Sequence, residues 1–123
     1  MRLYVAGPMT GYPRWNFGAF ETATAALRGA GFDVISPAEI DIEGGFDPDA
    51  PIELYTQTDR VNALRRDILA LLDVDGVALL DGWENSSGAR LEVHIGESLD
   101  LMVAPVEAFL TMARLNSLEG KTE

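Results

Sequence analysis

Gly76-Val77-Ala78-Leu79-Leu80 is an unbroken apolar run, stopped by the polar stretch that opens at Asp81. A strand without alternation has no face to give to water, so it belongs at the centre of a parallel sheet covered on both sides. Three shorter runs repeat the theme. Residues 2–6 end at Gly7-Pro8, residues 32–36 end at Pro37, and residues 101–104 end at Pro105; glycine and proline in those places punctuate strands with turns. Between the runs the spacing changes to helical. Phe17, Phe20, Ala23, Ala26, Leu27 and Ala30 recur on one helix face behind an Asn16 N-cap, and Gly29 with Gly31 closes that helix. Val61, Leu64, Ile68, Leu71 and Leu72 mark a second helix, starting at Pro51 or Thr58 and ending near Asp73. A third begins near Ser86 or Ser87 and reaches about Leu99, and Pro105 suits the start of a last one to about Leu118.

The order β-α-β-α-β-α-β-α predicts a doubly wound α/β domain, Rossmann/flavodoxin-like: a parallel sheet of about four to five strands with helices on both faces. No repeat or linker divides it, so residues 1–118 read as one domain and 119–123 as a frayed tail. Residues 41–51 are acidic and rich in Gly and Pro, which reads as a surface loop able to act as a lid. Ligands of such sheets sit beyond the carboxyl ends of the strands. Three segments meet there: 7–16, 36–50 and 81–88.

Composition removes several classes of function. With 47% hydrophobic and 24% charged residues the chain is globular. There is no cysteine, hence no disulfide, thiolate metal site or cysteine nucleophile, and the single histidine, His94, cannot build a multi-histidine zinc site. A net charge of -11 repels the backbone of DNA or RNA, so a nucleic-acid polymer is not the expected partner. No apolar run approaches the roughly 20 residues that span a bilayer, and no signal-peptide pattern opens the sequence. The expected setting is the cytoplasm, that of the host if the gene is carried by a phage, with no membrane partner.

Glu92 falls in the early turns of the helix after the third strand, where the helix N-terminus favours negative charge. A carboxylate held in a cleft can attack an anomeric carbon and form a glycosyl ester that a second acceptor resolves. The commoner alternative is a solvated glutamate, yet Leu91, Val93 and Ile95 leave no continuous polar face around this one. Asp67 can act as an acid toward a leaving base; on spacing alone, pairing with Arg60 or Arg66 is favoured. Asp75 falls at the wrong end of its strand and reads as a cap or turn residue. Asp81 ends the third strand on the ligand side and could hold a sugar hydroxyl. The turn Gly7-Pro8-Met9-Thr10-Gly11 can present N–H groups to an anion, although it lacks the Walker lysine. Arg14 and Arg90 are the nearby cations. Tyr4, Tyr12, Trp15 and Trp83 could stack on a base, Tyr4 fitting the core as well. His94 reads as a packing or surface residue. Ser36, Ser86 and Ser87 have no partners for a hydrolase triad.

Three segments resemble the nucleoside 2-deoxyribosyltransferase superfamily, which includes the 2'-deoxynucleoside 5'-phosphate N-hydrolases, and most of all a small branch frequent in bacteriophages. They are Tyr4-Val5-Ala6-Gly7-Pro8-Met9-Thr10-Gly11 with Asn16, Phe17 and Phe20; residues 31–39 (Gly-Phe-Asp-Val-Ile-Ser-Pro-Ala-Glu); and Asp67 through Ser87-Gly88-Ala89-Arg90-Leu91-Glu92. The resemblance implies that Glu92, four residues after Gly88, is the nucleophile and that Asp67, 25 residues earlier, is the acid. It implies that Tyr4, Gly7, Met9, Thr10, Gly11 and Asn16 line the pocket for sugar and phosphate. Asp81, Ser86 and Trp83 then contact the sugar or base, and Ser87 and Gly88 with Arg14 or Arg90 hold a phosphate. It implies a small-molecule nucleoside or nucleotide substrate, no metal or organic cofactor, and a homo-oligomer, dimer or higher. A neighbouring subunit's C-terminal residue, for which Asn116 is available, would complete the site. The apolar last helix (Val106, Phe109, Leu110, Ala113) is the supporting sign of assembly. Three positions depart from the superfamily pattern: Val93 and His94 follow the nucleophile, and Ser86 stands where transferases often have aspartate. The expected activity is N-glycosidic cleavage or base exchange, with a catalytically silent nucleotide-binding module of the same fold as the alternative.

Overall fold

The computed structural model describes residues 1–121. Four strands form one all-parallel sheet in the order β2-β1-β3-β4: β1 is Arg2–Ala6, β2 Asp33–Ile35, β3 Gly76–Leu79 and β4 Met102–Pro105. The expected doubly wound α/β architecture is the observed one. Five helices accompany the sheet: α1 Phe17–Gly29, α2 Pro37–Glu43, α3 Gln57–Leu71, α4 Ser87–Ser98 and α5 Val106–Lys121. Of the expected tail 119–123, residues 119–121 continue α5, while 122 and 123 lie outside the described residues.

Alternation along the central strands builds two cores. Leu3 and Val5 with Ala78 and Leu80 face α1 and α5, where Phe17, Phe20, Leu27 and Phe109 are buried against them. Tyr4 and Ala6 with Val77 and Leu79 face the opposite layer and meet Leu71 and Val93. Successive side chains point to opposite sides of a strand, so one unbroken apolar run serves both layers. Val106 and Phe109 are buried in the first core, so they are spent within the chain and add no weight to assembly.

Local chemistry sets the helix ends. The α3 start is a capping box, in which Thr56 Oγ1 accepts from Asp59 N and Asp59 Oδ2 accepts from Thr56 N. At α4, Ser86 Oγ accepts from Ala89 N at 3.2 Å. Asp75 is structural, accepting from the Arg2 backbone N–H at 2.8 Å.

Two sequence expectations need correcting. Residues 36–50 are not one open loop, because Pro37 opens the short helix α2; seven residues are too few for periodicity to reveal, and the acidic character hid them. Asn16 precedes α1 but makes no capping bond. Its φ is +61°, and its Nδ2 donates instead to the Pro8 carbonyl at 2.9 Å, tying the first turn to the helix start.

Candidate active site

The strand order reverses direction between β1 and β3, the place where open α/β sheets collect ligands. A cleft of about 380 Å³ opens there. Its walls are the turn after β1, the first turn of α4, the cleft-facing side of α3, and Asp41 from α2. Gly7 has to be glycine, since a Cβ on it would lie 2.7 Å from Leu80 Cβ. That close approach folds the 7–10 turn over the end of β3.

Tyr4 and Glu92 meet at the floor. Tyr4 is fully buried on β1, and its hydroxyl donates a hydrogen bond to Glu92 Oε2. Glu92 is 6% exposed on α4. Burial pushes its carboxyl up to about 8, the Tyr4 hydrogen bond pulls it back down, and the Asp67 and Asp41 charges add to the rise. Asp67 on α3 is pushed up to about 7 by burial and then by Asp41, with Arg66 opposing. Tyr4 is raised well above 10, first by burial and then by Glu92, so it stays a donor.

The two carboxyl groups are coupled, and near neutrality they share protons as a pair. Glu92, the more raised of the two, holds the last proton more often, yet the hydrogen-bond pattern supports the other arrangement for reaction. Asp67 Oδ1 is buried with no hydrogen-bond partner, which suits a neutral acid, while Glu92 receives the Tyr4 donor, which suits an anion. The ion pair of Asp67 with Arg60 or Arg66 that spacing favours does not form. Arg60 Nη2 donates to Ser87 Oγ at 2.9 Å, and Arg66 faces Asp41 at 3.6 Å.

Of the residues singled out from the sequence, the cleft gathers Glu92, Asp67, Gly7, Met9, Thr10, Tyr12, Ser86, Ser87, Gly88 and Arg90 at its lining, with Tyr4 beneath. Five others lie away from it. Arg14 is paired with Asp49 at 2.7 Å on the surface. Asp81 is exposed and Gly11 lies beyond the lining. Asn16 is occupied with Pro8. Trp83 packs under the sheet against the Tyr4-side core, because the left-handed Gly82 (φ +85°) turns the chain there.

The sequence reading passed over Asp41, Phe46, Tyr55 and Arg60 as site residues. Trp15, a stacking candidate, joins Phe46 and Tyr55 in an aromatic wall, its ring 5.4 Å from Phe46 and 4.8 Å from Tyr55. Three successive left-handed residues, Arg14, Trp15 and Asn16, aim Trp15 there. Such a run costs about 1 kcal/mol or more per residue. A second chamber of about 360 Å³ lies behind this wall and shares Trp15, Asp41, Phe46 and Tyr55 with the cleft. The sequence held one usable signal for this region: Thr56-x-x-Asp59, a capping box that starts α3 at Gln57 and leaves Tyr55 free at its mouth.

Fold and site together define a parallel α/β protein whose switch-point cleft holds three carboxyl groups, Glu92, Asp67 and Asp41. The fold is that of a 2-deoxyribosyltransferase from the psychrotolerant bacterium Bacillus psychrosaccharolyticus. The two superpose with a TM-score of 0.60 at 19% identity, covering 84% of this chain and 69% of that one. Residues 1–105 match the family described as "Domain of unknown function (DUF4406)", and the chain belongs to that family. No curated protein matches the chain. Among the described residues no helix is long and apolar enough to cross a membrane.

Proposed function

We propose that this protein cleaves the N-glycosidic bond of a nucleoside or its 5'-monophosphate, with Glu92 as nucleophile and Asp67 as the acid that protonates the leaving base. One observation carries the reading: the buried Glu92 carboxylate, oriented by Tyr4, shares a nucleoside-sized cleft with a second carboxyl whose surroundings favour the neutral form. The deoxyribosyltransferase fold supports it, as do the Gly88 and Glu92 positions within α4.

Glu92 attacks C1' and forms a glycosyl ester. The C1'–N bond breaks, its electron pair leaves with the base nitrogen, and the Asp67 proton neutralises that nitrogen. In the second half the Asp67 carboxylate takes a proton from water, or from the N–H of a second base, as that group attacks C1' and expels Glu92. Water gives hydrolysis; a base gives exchange. Ser87, with Arg60 and Arg90, at the N-terminus of α4 offers a phosphate donors and positive charge within a molecule of net charge -11. No step requires a metal or organic cofactor.

The test is base release from a panel of ribo- and deoxyribonucleosides and their monophosphates, with and without a second free base. Glu92→Ala should lower release by at least about 10³-fold, as expected when a nucleophile is removed. No release from any substrate by the unmutated protein would sink the proposal and leave a nucleotide-binding module.

A further inference from the structure

The proposed chemistry leaves Asp41 without a task. It is 8% exposed at the end of α2, and it lies where the cleft and the second chamber meet. Its Oδ1 is buried without a hydrogen-bond partner. Arg66 Nη2, at 3.6 Å, is near enough to balance the charge but beyond hydrogen-bond reach. An ionised carboxylate is purely an acceptor, and leaving one buried and unbonded is costly. A group aimed this way waits for donors from a ligand.

The surroundings say what shape those donors come on. Trp15, Phe46 and Tyr55 line the same junction, packed on one another in edge-to-face and tilted contacts. A flat ring fits along such a wall. The cleft of about 380 Å³ and the chamber of about 360 Å³ both border this wall, and Asp41 lines both.

We propose that Asp41 is the base-reading residue of this site and selects a purine that carries two neighbouring N–H donors, the pattern of guanine. This rests on the glycosidic reading above and adds the class of base. The aspartate χ2 torsion is soft, so both oxygens can turn to a donor pair and accept it as a fork, the strong form of carboxylate hydrogen bonding. Guanine supplies N1–H and the 2-amino group together. Hypoxanthine keeps only N1–H, and adenine, cytosine and thymine offer a single donor position on that edge.

Two measurements test this. Base release is compared across the guanine, hypoxanthine, adenine, cytosine and thymine deoxynucleotides, and calorimetry follows binding of free guanine, hypoxanthine and adenine. The unmutated protein should favour guanine over hypoxanthine by about 10-fold or more in kcat/KM and in affinity, as loss of one bond to a charged group predicts. Asp41→Asn, of the same size, should lower the guanine values by about 10–100-fold and change the thymine nucleotide little. Equal treatment of guanine and hypoxanthine, or an equal loss for every base in Asp41→Asn, overturns the assignment. Guanine-selective binding without turnover would retire the glycosidic reading and leave Asp41 as base reader. Turnover without guanine preference would do the reverse.

Discussion

A tyrosine hydroxyl in a fully buried position has to find an acceptor, and Tyr4 finds the Glu92 carboxylate. Its donation lowers the proton affinity of Glu92 against the burial that raises it. The active form in the proposed mechanism is the singly protonated pair, with Glu92 ionised and Asp67 neutral. With Glu92 raised to about 8 and Asp67 to about 7, the last proton rests more often on Glu92. The active form is the minor tautomer; its population is greatest between those values, and kcat/KM should describe a narrow bell across them. Tyr4→Phe removes the donor and raises the Glu92 proton affinity. The basic limb, which follows Glu92 as the higher of the pair, should move to higher pH, and the maximum should fall about 10–100-fold, the worth of a hydrogen bond to a charged group. A profile scaled down with its limbs unmoved would show that Tyr4 only packs.

At the scale of elements, the close contact between the turn after β1 and the end of β3 is what shapes the cleft. Gly7→Ala would press a Cβ to 2.7 Å from Leu80 Cβ, an inner atom that cannot swing aside. The turn must lift, so urea unfolding should show a loss on the order of 1–3 kcal/mol, and ligand affinity should fall with it. Gly29→Ala is the control: a Cβ there meets nothing within 4 Å, at the last residue of α1. It should be neutral or stabilising by about 0.5–1 kcal/mol. Equal losses in the two variants would remove the special role of Gly7.

The same elements show what could be read without coordinates. Every strand was legible, because glycine or proline stops three of the apolar runs, a polar stretch at Asp81 stops the fourth, and a central parallel strand needs no alternation. Periodicity and caps placed Glu92 and Asp67 on their helices, while only the resemblance joined the two in one site. Asp41 and the aromatic wall were not legible. They sit on a seven-residue helix and in the irregular stretch after it, where no periodicity accumulates and composition resembles solvated loop. Trp83 misled for the opposite reason: its neighbourhood reads as loop, yet a left-handed glycine turns the ring under the sheet. Arg14 and Asp81 share the right end of the sheet with the cleft, and only side-chain direction separates them from it.

For the molecule as a whole, a site built from buried carboxyl groups works against stability near neutral pH. Glu92 and Asp67 have folded-state values above their ordinary ones. Between about pH 4 and about pH 7–8 the unfolded chain has released protons that the folded one keeps. The unfolded state then binds fewer protons, so stability declines as pH rises through that window and levels off above it. The exposed carboxylates held low by partners, Glu39 by Arg28 and Asp49 by Arg14, act in the opposite sense at the acid end. They are solvent-screened, so their effect is small. Glu92→Gln keeps the size and an acceptor for Tyr4 while abolishing the titration. Relative to the native protein it should be close to neutral in stability at pH 4 and on the order of 2–4 kcal/mol more stable at pH 8. The gap should open progressively between those pH values, in a variant that releases no base. Thermal or urea unfolding of both proteins across that range measures it directly. A variant less stable at pH 8, or a gap independent of pH, would mean that Glu92 contributes packing and hydrogen bonds that outweigh its buried charge, and the case for it as a strained functional group would fail.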